Sequence, residues 1–141
     1  TTACRIMNDR SMAEDALHDA FIKIFRDIRQ LHEIAALQAW MKRITVNTSL
    51  KMLERHRRIE YTDKDIYIEQ TQRYDPMDGE QLEKAITSLP DGYRVEILLT
   101  EVEGYKHQEV ADMLGISVGT SKSQLHHAKQ KLIKMLKRPD F

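Results

Sequence analysis

Lys106–Leu132, KHQEVADMLGISVGTSKSQLHHAKQKL, decides how this chain is read. Val110, Ala111 and Leu114 give a short helix one apolar edge. Gly115 then stands where a helix must end in a left-handed residue. Ile116 fills the corner, and Ser117 is placed to cap the next helix. Beyond it Val118, Ser121, Leu125, Ala128 and Leu132 recur at helical spacing. Thr120, Lys122, Ser123, His126, His127 and Lys129 fall on the opposite face. The pattern predicts a helix-turn-helix whose second helix turns hydrogen-bond donors and cations outward, as a helix entering a DNA major groove must.

Working outward from this motif, the rest of the chain also reads as helical. Its 141 residues suffice for one ordinary domain or two small ones, and five glycines and three prolines leave few breaks. A first long helix is expected from about Met12 to Leu31, capped by Ser11, with Leu17, Phe21, Ile24, Ile28 and Leu31 inward. A second runs from Leu37 to Arg58, burying Leu37, Trp40, Met41, Ile44, Thr48 and Leu53. Trp40 reads as core rather than as a platform for a base. Glu60–Gly79 is polar and holds Pro76; a loop that long inside one compact domain is unusual and argues for a linker between two. A third helix, Gly79–Leu89, turns Leu82, Ala85, Ile86 and Leu89 inward. Pro90 opens a fourth that buries Val95, Leu98, Leu99 and Val102 and ends near Gly104. The expected fold is therefore all-α: two small helical domains, residues 1–59 and 79–138, joined by an acidic linker at 60–78. The second is a four-helix domain containing the helix-turn-helix.

Net charge is zero, which looks wrong for a protein that meets nucleic acid, but the charge is unevenly spread. Residues 42–59 carry six basic side chains against one acidic, and residues 104–138 carry seven against two. Between them, residues 60–103 hold four basic and twelve acidic groups. Affinity for phosphate follows the local density of cations rather than the total. No apolar run reaches membrane-spanning length, so no membrane insertion is expected. The lone Cys4 rules out an internal disulfide and fits a cytoplasmic location. No phosphate-binding glycine loop or nucleophile motif appears, so neither catalysis nor a cofactor is expected. His126 and His127 do not make a metal site, because adjacent helical positions point about 100° apart.

Two runs carry a resemblance. SLPDGYRVEILLTEVEGYKHQEVADMLGISVGTSKSQLHHAKQKL, residues 88–132, resembles domain 4 of bacterial sigma factors. AEDALHDAFIKIF with LQAWMKRITVNTSLKMLERHRR, residues 13–25 and 37–58, resembles domain 2. Both domains in this order, with nothing but a short linker between, resemble the extracytoplasmic-function (ECF) class of the sigma-70 family. The resemblance implies a promoter-specificity subunit that binds core RNA polymerase and reads the −10 and −35 elements of promoter DNA to start transcription. It implies polymerase contact through Asp15, His18 and Asp19, with His18 standing where the family usually has Gln. It implies −10 contact through Lys42, Arg43, Asn47, Lys51 and Arg55, an Asn amide being able to pair with the edge of an unstacked base. Lys51 replaces a common Asp, and Glu54 a basic residue. The −35 contacts fall on Thr120, Lys122, Ser123, His126, His127 and Lys129. Gln124 and His127 stand where Arg is frequent, and Ser121 where Val is. An anti-sigma factor is the regulatory partner that the resemblance implies. Because the chain starts Thr1-Thr2-Ala3, the first helix of domain 2 is expected to be largely missing, with Thr1–Met7 as its tail. Two other readings stay open from the residues alone. One is a stand-alone helix-turn-helix regulator. The other is a polymerase or regulator interaction module without useful DNA binding.

Overall fold

The structure, a computed structural model, describes residues 2–56 and 79–136. The acidic linker expected at 60–78, with Pro76, lies outside the described residues, as do Arg57 and Arg58. The chain divides into two compact units, Thr1–Arg58 and Ile59–Phe141.

The first unit packs three helices: α1, Thr2–Met7; α2, Arg10–Asp27; and α3, Leu37–His56. Ala3, Ile6 and Met7 of α1 are fully buried, so this short helix is part of the core rather than a frayed end. The expected cap of α2 was Ser11; the observed cap is Asp9, whose carboxylate accepts a hydrogen bond from the Met12 backbone N–H at 2.9 Å. The inward face of α2 is also turned relative to the expected stripe. Ala13, Ala16, Ala20 and Ile24 are buried, whereas Phe21 and Ile28 are 50% and 43% exposed. The reason is packing distance: alanines let α1 and α3 approach closely, and the larger side chains flank that seam instead of filling it. In α3, Thr48 and Leu53 are buried as expected, joined by Val46, Ser49, Leu50 and Met52. Leu37, Trp40, Met41 and Ile44, expected inward, are only half-buried. The buried hydroxyl of Ser49 is satisfied by donating to the Thr45 carbonyl at 2.8 Å.

The second unit contains α4, Gly79–Ser88; α5, Asp91–Ile97; α6, His107–Leu114; and α7, Val118–Leu136. Its core gathers Ala85, Leu89, Tyr93, Ile97, Ala128 and Met135, with Leu125 and Leu132 packed against them. Leu82, expected inward, is 38% exposed. Helix α5 continues into a wider π-turn, Leu98–Val102, in which the Glu103 N–H donates to the Leu98 carbonyl at 2.9 Å. That widening shifts the register, so Leu98 and Leu99 stay buried while Val102 is 46% exposed rather than inward. Arg94 is buried and held by Asp91 at 2.7 Å, an ion pair across the first turn of α5.

Candidate nucleic-acid interface

The helix-turn-helix is formed by α6 and α7. The Glu109 carboxylate accepts from the Lys106 backbone N–H at 3.2 Å, fixing the start of α6. Gly115 ends it with φ +67°, and the Ile116 N–H returns to the Ala111 carbonyl at 3.1 Å. Ser117 caps α7 as expected: its Oγ accepts from the Thr120 N–H at 3.0 Å and donates to Thr120 Oγ1 at 2.9 Å. Thr120 is thus both a half-buried member of the outer face and part of the cap.

Along α7, Lys122, His126 and Lys129 are exposed, with Ser123 and His127 half-buried beside them. These residues share the outer side of the helix, where a groove would meet them. Lys129 forms an ion pair with Glu101 at 3.1 Å, in which both side chains remain about half exposed. Water screens such a pair, and a phosphate can displace the carboxylate at little cost. The rings of His126 and His127 meet edge to face, with centroids 5.6 Å apart. Among the described residues no cluster of His, Cys, Asp or Glu is arranged to hold a metal ion. Gln124, at a position where the family often has Arg, is only 1% exposed and belongs to the interior.

Ser121 faces inward as its spacing required, and its hydroxyl is held by side chains of two other helices. The hydroxyl donates to Glu96 Oε1 at 2.5 Å and lies 2.8 Å from His107 Nδ1. Glu96 is wholly buried, and loss of hydration pushes its carboxyl up to about 7. Sequence reasoning missed both Glu96 and His107. One signal was available: Glu96 interrupts the apolar run Val95–Leu99. Nothing local links His107 to Ser121, fourteen residues on.

In the first unit, Lys42, Lys51 and Arg55 are exposed on α3, and Arg43 and Asn47 are half-buried along the same helix. Arg43, Asn47, Lys51 and Arg55 recur every four residues, so the helix gathers them along one side, and Lys42 points away from that row. Asp15, His18 and Asp19 are exposed on α2. That polar patch continues into apolar surface: Ile22 is 56% and Phe25 74% exposed, one and two turns further along. No helix among the described residues is long and apolar enough to cross a membrane.

A two-part helical chain, with a basic helix in the first part and a helix-turn-helix in the second, has the layout of a bipartite DNA-binding protein. Comparison with known proteins makes this specific. Residues 1–59 match the family described as sigma-70 region 2, and residues 79–132 match sigma-70 region 4. Together the two matches take in most of the chain, which belongs to the sigma-70 family. The ECF RNA polymerase sigma factor SigE of Mycolicibacterium smegmatis is 30% identical over 139 residues, covering 92% of this chain and 54% of that protein. The ECF RNA polymerase sigma factor SigM of Mycobacterium tuberculosis is 29% identical over 125 residues, covering 88% of this chain and 64% of that protein. The chain therefore spans less than two thirds of these relatives' length. The structure of the sigma factor RpoE in complex with the anti-sigma factor NepR, from Bartonella quintana, is similar with a TM-score of 0.63 at 24% identity. It covers 96% of this chain and 87% of that one, a likeness of fold.

Proposed function

We propose that the chain is a promoter-specificity subunit of the ECF class, which binds core RNA polymerase and reads promoter DNA at two sites. The observation that carries this reading is the pairing of region 2 with region 4 in one chain, each supplying its own exposed basic helix. On this reading the outer side of α7 enters the major groove of the −35 element. There Lys122 and Lys129 meet phosphate, while Ser123, Thr120, His126 and His127 offer donors to base edges. Lys42, Arg43, Lys51 and Arg55 hold the strands at the −10 element, and Asn47 pairs with an unstacked base. Asp15, His18 and Asp19, extended by the exposed Ile22 and Phe25, form the polymerase contact. The domains follow the two family matches, with residues 60–78 as the connection.

On this reading the subunit works by binding: capture of separated bases offsets the cost of unstacking them. Its place of action is the cytoplasm, where transcription occurs. The RpoE relative, solved with an anti-sigma factor, supports the same type of regulatory partner here. The test is transcription by reconstituted core polymerase with and without this chain on a promoter library, followed by sequencing of the 5′ ends. Transcripts that require the chain and share spaced −35 and −10 motifs are expected. Absence of any such transcript, or tight palindrome binding that needs no polymerase, overturns the reading.

A further inference from the structure

A carboxylate lies inside the second unit where its sequence neighbours, Val95 and Ile97, are apolar core. Glu96 Oε1 accepts from the Ser121 hydroxyl, and Oε2 is buried with no hydrogen-bond partner among the described residues. A serine hydroxyl has one hydrogen. Since Ser121 gives it to Glu96, its contact with His107 uses an oxygen lone pair, and Nδ1 must carry a hydrogen. The three groups therefore run as a single chain from donor to acceptor, from α6 through α7 to α5. His107 Nδ1 lies 3.6 Å from Glu96 Oε1, and its side chain is 28% exposed, which gives the cluster one edge open to solvent.

Several other charges on these helices are engaged elsewhere. On α5 itself, Arg94 is bound to Asp91. On the π-turn Glu101 pairs with Lys129 of α7, and on α4 Lys84 pairs with Glu80. On α6 the Glu109 carboxylate turns to the Lys106 backbone. Glu103, half-buried at the end of the π-turn, is a carboxylate and not a cation. His107, with Nδ1 3.6 Å from Glu96 Oε1, is thus the side chain of α6 that faces Glu96. When the Glu96 carboxyl is neutral, the chain of hydrogen bonds buries no charge. When it ionises, a carboxylate must be held inside on one hydroxyl and a partly exposed imidazole.

We propose that His107, Ser121 and Glu96 form a proton-controlled latch that sets how firmly the second helix of the helix-turn-helix is held on its supporting helix. Uptake of a proton closes the latch and loss of it loosens α7. The consequence for DNA, though not the latch itself, rests on reading α7 as the duplex-reading helix.

The latch is tested on the full chain by amide hydrogen exchange, corrected for intrinsic rates, at about pH 6 and about pH 8. Opening of the segment 107–121 is expected to rise several-fold at the higher pH, and Glu96→Gln is expected to remove that rise. A parallel rise in wild type and variant overturns the proposal. Carbon-13 titration of the Glu96 carboxyl in the wild-type chain gives an answer that needs no variant: a midpoint near that of a free carboxyl overturns it too. In a second arm, a fluorescein-labelled duplex of mixed sequence is titrated at both pH values. A few-fold loss of affinity at the higher pH in wild type, beyond any loss in Glu96→Gln, supports transmission to DNA. Equal losses in both chains overturn that transmission. Duplex binding by neither chain counts against α7 as a reader, and the exchange result still decides the latch.

Discussion

Glu96 makes the stability of the second unit depend on pH. Its carboxyl is raised from 4.5 to about 7 by burial, so between those values the folded chain binds a proton that the unfolded chain releases. Stability from this group is then fully present below about pH 4.5 and is lost as pH rises through about 7, by on the order of 3 kcal/mol. Chemical denaturation across this range should show that decline in wild type and a flatter profile in Glu96→Gln. At about pH 8 the variant should be the more stable chain, because it no longer buries an ionised group. Gly115 poses a simpler problem of backbone conformation. Its φ is +67°, yet an added Cβ would meet nothing within 4 Å, so the cost of a side chain there is conformational and not steric. Gly115→Ala should destabilise the unit by about 1 kcal/mol, and Gly115→Asn by less, as read by thermal unfolding.

At the scale of the element, helix ends and helix faces obey different rules. The start of α2 rests on Asp9, and Asp9→Ala should cost about 1 kcal/mol of stability, while Ser11→Ala should change little. Sequence alone favoured Ser11 because either residue is a competent cap and the preceding helix, α1, was not visible as a packed element. The helix-turn-helix was far more legible. Gly115, Ser117 and the spacing of Val110, Ala111, Ser121 and Ala128 each act within a few residues, so their geometry follows from local rules. The face of α2 was less so. Periodicity weights large apolar side chains, and Phe21 and Ile28 outweighed Ala13, Ala16 and Ala20, although small residues are what let helices meet closely. Val102 escaped for another reason: a π-turn changes the period on which the expectation was built. The candidate DNA-facing side of α7 was read correctly as an outer face at Lys122, His126 and Lys129, whereas the inward Gln124 and the His107–Ser121–Glu96 contact depend on tertiary neighbours. Lys122 is exposed near the start of that face, and on the proposed reading it meets phosphate. Lys122→Ala should weaken duplex binding about equally for all sequences and reduce the salt slope by about 1, measured by anisotropy over a salt series.

For the whole molecule, charge decides what neither basic helix can do alone. The chain is neutral overall, and α7, the helix proposed to read DNA, carries Gln124 and His127 where Arg is frequent in the family. The structure removes Gln124 from the surface, so that substitution costs no groove contact, but His127 still stands half-buried beside the outer face with less charge than Arg would bring. Few cations mean few counterions released, and therefore a small electrostatic contribution to affinity. Two weak contacts on one DNA nevertheless reinforce each other when something fixes the distance between them, because the second then binds at the effective concentration set by the first. On the proposed reading, core polymerase supplies that constraint by taking hold of α2 at Asp15, His18, Asp19, Ile22 and Phe25. Duplex binding by the isolated chain should therefore be weak, and addition of core polymerase should tighten it by at least about 100-fold. Equilibrium binding to a promoter found by the transcription experiment would measure this. Ile22→Ser together with Phe25→Ser should abolish the gain while leaving the weak binding of the free chain unchanged, since both side chains are already exposed and neither lies on α3 or α7. A variant that kept the full gain would place the polymerase contact elsewhere on the chain.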